Sequence, residues 1–197
     1  MLTLLARIAV LAGMPLLLSA CVAGQKIPLD TTPQVAGEVG TGFLVSVLVE
    51  DHREAVLSGK QDPSRIGQYR AGLGIPWSVT TDGGIPLADQ VRVDLEEELA
   101  WQGFGLAPSG SQLEVLIKEW DFTGYQNGRF WYSLMINISG PDASLRMSKQ
   151  LANEVEIKGT LILGARGGFE RDMPGIYSGI IASIASKDPE VLQALKQ

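Results

Sequence analysis

The sequence predicts an α+β fold: a two-layer sandwich with a mainly antiparallel sheet of about four to five strands and two amphipathic helices on one face. Three observations predict it. Apolar residues alternate with period two in several segments, the mark of half-buried strands, and recur at helical spacing in two others. The order is strand, loose hairpin, helix, three strands, helix, which supplies a polar-faced sheet with two helices to cover its dry side. The 197 residues, 45% hydrophobic and 19% charged, suit one domain with a packed core.

The chain opens with a short segment carrying one cation, Arg7, followed by an apolar run from Ile8 to Ala20. That run suits the hydrophobic stretch of a signal peptide and is too short for the ~20 residues of a spanning helix. It ends at Leu18-Ser19-Ala20-Cys21, which resembles the lipobox of bacterial lipoprotein precursors. The resemblance implies removal of residues 1–20 and N-acyl and S-diacylglycerol lipid on Cys21. Val22 follows the cysteine in place of the Asp that retains enteric-type lipoproteins at the inner membrane, which implies the periplasmic leaflet of the outer membrane. Cleavage removes Arg7, so 16 cations become 15 against 22 acidic residues, a net charge of −7. A chain so acidic is a poor nucleic-acid binder. It has no polybasic membrane patch either, so attachment falls to lipid, at about 0.8 kcal/mol per buried methylene.

Residues 22–41 hold Gly, Pro and Thr without periodicity and read as a flexible tether. The domain is expected over residues 42–197. Val45, Val47 and Val49 begin it as a strand that ends at Asp51-His52-Arg53-Glu54. Residues 55–84 read as an irregular excursion with a weak strand near Trp77. Leu87, Val91, Leu95 and Leu99 form the stripe of a first helix stopped at Gly103, with Phe104 packing back. Its acidic residues, Asp89, Asp94, Glu96, Glu97 and Glu98, are expected on a solvated face.

Three strands follow. Leu113, Val115 and Ile117 alternate in the first, and Phe130, Tyr132, Leu134, Ile136 and Ile138 in the second. The third sets Leu145, Met147, Leu151, Val155 and Ile157 against polar even positions, and Gly140-Pro141-Asp142 turns the second into the third. Residues 164–172 are expected as a Gly/Arg loop before a helix carrying Ile176, Ile180 and Ile184. Asp188-Pro189 starts a short last helix.

With this order in view, the chain resembles the YajG-like family of outer-membrane lipoproteins. The carrying features are the lipobox, Asp51-x-Arg53 at the first strand's end, Arg65-Ile66-Gly67, Gly103-Phe104 and the Ile-rich C-terminal helix. The resemblance implies no catalytic residues. More distantly, the layout is similar to the small α/β lipoproteins that serve envelope machines, such as the lipopolysaccharide-assembly lipoprotein LptE.

One cysteine and one histidine leave little scope for disulfides or zinc, and no metal site or other cofactor is expected. Asp51, His52 and Arg53 form a polar cluster at a strand end, read as structural; a hydrolase using His52 is the catalytic alternative. Gly164-Ala165-Arg166-Gly167-Gly168 lacks the Gly-Lys-Ser/Thr ending of a phosphate loop and reads as a turn. Trp77, Trp101, Phe122 and above all Trp120, Trp131 and Tyr125, with Arg166, are the candidate binding surface. Together these readings give a non-enzymatic lipoprotein that binds an envelope protein, or alternatively a lipid- or glycan-binding carrier.

Overall fold

The computed structural model describes residues 25–29, 39–70 and 74–197. Leu18, Ser19, Ala20 and Cys21 lie outside the described residues. Among the described residues the sheet has eight strands: β1 (Gln25–Ile27), β2 (Leu44–Asp51), β3 (Arg65–Arg70), β4 (Pro76–Thr81), β5 (Gly105–Leu106), β6 (Ser111–Gly124), β7 (Gly128–Ser139) and β8 (Leu145–Ile157). The helices are α1 (Glu54–Leu57), α2 (Leu87–Trp101), α3 (Gly164–Ala185) and α4 (Pro189–Leu195).

Strand β6 organises the sheet. One edge pairs antiparallel with β7 from Gln112↔Ser139 to Gly124↔Gly128, and β8 lies outside β7. The other edge is divided between two parallel partners. Strand β2 takes its N-terminal half, from Val45↔Ser111 to Asp51↔Ile117, and β3 its C-terminal end, at Gln68↔Thr123 and Tyr69↔Gly124. Beyond β2 lies β5; beyond β3 lie β4 and then β1, paired parallel to β4. The expected four to five strands are therefore eight, in a mixed sheet. The surplus comes from strands of two or three residues, too short to show alternation, and from a hairpin whose register shifts between Arg65 and Gly67.

Three further expectations are corrected. Residues 22–41 are not wholly a tether, because β1 joins the sheet and Ile27 and Leu29 enter the core. The Gly/Arg segment at 164–172 is the start of α3 rather than a loop. Its glycines serve a close approach: a Cβ on Gly168 would stand 2.3 Å from the Lys158 carbonyl oxygen, so only a bare backbone can lie there. And Asp94 and Glu98 of α2 are buried, not solvated. Both stand one helical turn apart on a side of α2 that α3 covers, where the Tyr177 hydroxyl donates to Asp94 Oδ2 at 2.5 Å. Burial first, and the neighbouring Asp94 second, push the Tyr177 phenol far above its ordinary value, so it stays a donor.

The core lies between the sheet and α2, α3 and α4. Leu87, Val91, Leu95 and Leu99 of α2, and every second residue of β7 from Phe130 to Ile138, are buried. Among the described residues no helix is long and apolar enough to cross a membrane.

Candidate functional site

The aromatic residues singled out in the sequence separate into four groups. Trp120, 1% exposed, and Phe122 are core residues. Trp120 packs edge-on against Phe130 and Tyr177. Its removal from the candidate surface has a physical cause. β6 bulges between Ile117 and Glu119, so parity changes there and inward positions pass from odd (113, 115, 117) to even (120, 122). Trp131 stays half-buried on the opposite, open face beside Glu119, Gln150 and Glu154. Trp101 is exposed at the end of α2. Tyr125 and Arg166 meet at one end of the molecule with two residues that complete a site, Tyr69 and Trp77.

That site is a groove of about 410 Å³ lined by Tyr69, Arg70, Trp77, Tyr125, Ile162 and Arg166. Tyr69 and Trp77 are cross-strand partners in the β3–β4 hairpin, their rings stacked at 6.3 Å. Tyr125 belongs to the β6–β7 turn and is 54% exposed. Arg166 stands in the first turn of α3, where its Nε donates to Glu170 at 3.1 Å. The hydrogen bond it donates to Glu170 comes first among the causes that hold its guanidinium above the ordinary value, and Tyr69 adds to it.

The far wall is the loop from 158 to 164. Thr160 and Gly164 exchange backbone hydrogen bonds at 2.9 Å, and Leu163 N–H donates to Thr160 Oγ1 at 3.1 Å. Gly164 has φ +55, open to glycine at no steric cost. Ala165 N–H then donates to the Tyr125 carbonyl at 2.9 Å, which ties the loop to the β6–β7 turn. The pinned loop displays Leu161 (103% exposed), Ile162 (89%) and Leu163 to solvent. Sequence reasoning missed these three; the available signal was an apolar triplet closed in by Gly159 and Gly164.

The polar cluster at the end of β2 lies elsewhere. Arg53 is buried and Nη2 donates to Asp51 Oδ2 at 2.6 Å; Nη1 reaches the Arg65 carbonyl at 2.6 Å and Nη2 the Pro63 carbonyl at 2.9 Å. It closes the gap where β6 passes from β2 to β3. His52 hydrogen-bonds Glu50 through Nε2 at 2.7 Å, and Lys118 Nζ stands 3.1 Å from Nδ1. Both ring nitrogens thus have charged neighbours. Among the described residues no group of His, Cys, Asp and Glu is placed to hold a metal ion.

A second group of exposed apolar residues lies at the opposite end. Phe43, Leu44 and Leu106 are exposed where β5 pairs with the start of β2. The 14-residue strand β6 separates the two ends by about 40 Å, at roughly 3.3 Å per residue.

No family model matches the chain, which leaves the YajG-like likeness a resemblance, and no curated protein matches it in sequence. Solved structures do match. A Xanthomonas campestris protein of the DUF330 family superposes with a TM-score of 0.53 at 12% identity, covering 81% of this chain and 91% of that one. An uncharacterised protein follows at a TM-score of 0.46 and 13% identity, covering 83% and 97%. A minor lipoprotein from Acinetobacter baumannii gives 0.36 and 8%, covering 73% and 92%. The first likeness shows a shared fold; the other two are too distant to carry an argument.

Proposed function

We propose that this chain is an outer-membrane lipoprotein of the YajG-like kind that works by binding. Residues 1–20 are removed, Cys21 carries the lipid, and the domain serves as an accessory to an envelope protein assembly without a catalytic step of its own. The observation that carries the binding reading is the set of exposed apolar side chains Phe43, Leu44 and Leu106 around the β2–β5 pairing at the end remote from the groove. Large apolar side chains left exposed around one sheet edge of a small domain suit an interaction surface. Here they flank β5, whose brevity leaves backbone of the sheet edge open to an added strand.

The test has two parts. Radiolabelled palmitate should enter the protein, and Cys21→Ser should abolish the labelling. A photo-cross-linking residue at Leu106 should then capture a membrane-associated protein in intact cells, whereas the same residue at Trp131 should not. Equal capture at both positions, or none at Leu106, would remove the basis for a partner at this end.

A second reading, a carrier of lipid or glycan, draws support from the groove, where two stacked aromatic rings lie beside a guanidinium. Native mass spectrometry of the lipidated protein would reveal a co-purifying ligand under that reading.

A further inference from the structure

We infer that the groove end of the molecule is a second, non-covalent membrane contact: Leu161 and Ile162 enter the acyl boundary of a phospholipid bilayer while Arg70, Lys158 and Arg166 meet its phosphate headgroups. The inference rests on the lipid-anchor reading above and deepens it.

Chain direction carries the argument. β1 runs parallel to β4 in the register Gln25↔Val79, Lys26↔Thr80, Ile27↔Thr81. Going backward from Gln25 therefore means going backward along β4, from Val79 toward Pro76 and the tip of the β3–β4 hairpin. Cys21 is four residues before Gln25, and Ile75 is four residues before Val79. Four residues reach at most about 14 Å, enough to bring the acylated sulfur level with Ile75. The link is too short to turn back and carry the lipid to the other end of a sheet about 40 Å long. The acyl chains and the groove therefore share one end of the domain.

That end has the composition of an interfacial surface. Ile75, Leu161 and Ile162 are exposed apolar residues at its rim. Leu161 and Ile162 have almost no protein contact, on a loop whose hydrogen bonds fix its shape. Tyr125 and Trp77 are the ring types enriched at membrane–water boundaries, with an apolar body and a polar tip. Arg70, Lys158 and Arg166 are exposed cations at the same end of a chain that is otherwise strongly acidic. A protein whose net charge is repelled by anionic lipid thus turns its apolar and cationic end toward the bilayer.

The experiment uses the lipidated protein reconstituted in vesicles of phosphatidylethanolamine and phosphatidylglycerol. Cys21 is the sole cysteine and its thiol is acylated, so Ile162→Cys creates a unique thiol for an environment-sensitive fluorophore. Spin-labelled lipid should quench the probe at 162 strongly and leave the same probe at Leu106→Cys, on the far end, unaffected. Leu161→Cys repeats the test at a second exposed site. Lipid-bearing protein that floats with the vesicles, yet is unquenched at 161 and 162, overturns the docking while the anchor stands. A blue shift at 162 without quenching assigns the tip to a second copy of the chain and also overturns it. Protein that carries no lipid and does not float removes the anchor reading, and the docking with it.

Discussion

Arg53 lies two residues beyond the end of β2 and turns its guanidinium back into the gap between β2 and β3. Its planar fork meets Asp51 twice and the carbonyls of Pro63 and Arg65, where the ladder changes partner. Arg53→Ala would take the guanidinium from the Asp51 carboxylate, leaving it the residue 53 backbone N–H, and would leave the Pro63 and Arg65 carbonyls only Leu87 N–H and the Gln61 amide, at about 3–5 kcal/mol. Urea unfolding should show the midpoint fall, and Arg53→Lys should not restore it, since a single ammonium cannot span all four acceptors. Asp121 behaves in the opposite sense. Burial pushes its carboxyl above the ordinary value, against the pull of Arg65 at 3.7 Å. A carboxyl raised by folding holds its proton more tightly in the native state, so it costs nothing below the ordinary value near 4. The cost accumulates as pH rises from there to the raised value and is complete above it. Unfolding of Asp121→Asn measured at pH 4 and pH 7 should therefore show less loss of stability on going to pH 7 than the parent shows.

Strand β6 shows what a sequence discloses about an element and what it hides. Alternation in β7 and the four-residue stripe of α2 were legible because each side chain faces a continuous partner surface, and burial follows period in both. In β6 the alternation reads correctly to Ile117 and then misplaces Trp120, because one extra residue inverts the facing of everything after it. Composition does not announce such a residue; Lys118 is an ordinary exposed lysine. The start of α3 was hidden for a related reason. Glycine is a poor helix former, yet Gly167 and Gly168 sit where a side chain would strike Thr160 and Lys158, so packing overrides propensity. The bulge makes a sharp prediction. Lys118→Ala removes an exposed side chain and its solvent-exposed contact with His52, and should change stability by no more than about 0.5 kcal/mol. Deleting Lys118 should instead turn Trp120 and Phe122 outward, or force a new register with β7, and abolish the cooperative thermal transition.

At the scale of the whole molecule, the proposed docking depends on distance as much as on chemistry. Bringing Leu161 and Ile162 about halfway out of water is worth about 2–3 kcal/mol together. Each of the three cations adds about 1 kcal/mol near an anionic surface, before the repulsion of the remaining acidic chain is subtracted. The total is close to the ~4 kcal/mol of a millimolar affinity, too weak to hold free protein on a membrane. A lipid four residues away changes this by making the second contact intramolecular, with an effective concentration in the millimolar range. Docking is then near balance, and link length tips it. An insert of roughly ten Gly/Ser residues between Gly24 and Gln25 adds a coil of about 17 Å. It should dilute the tip by about sixfold, following the −3/2 power of link length. Quenching at position 162 should fall accordingly while flotation, which needs only the acyl chains, stays complete. The unlipidated Cys21→Ser chain should not float at all, because its tip alone is too weak. Undiminished quenching with the insert would mean that the tip holds the bilayer without help from the short link.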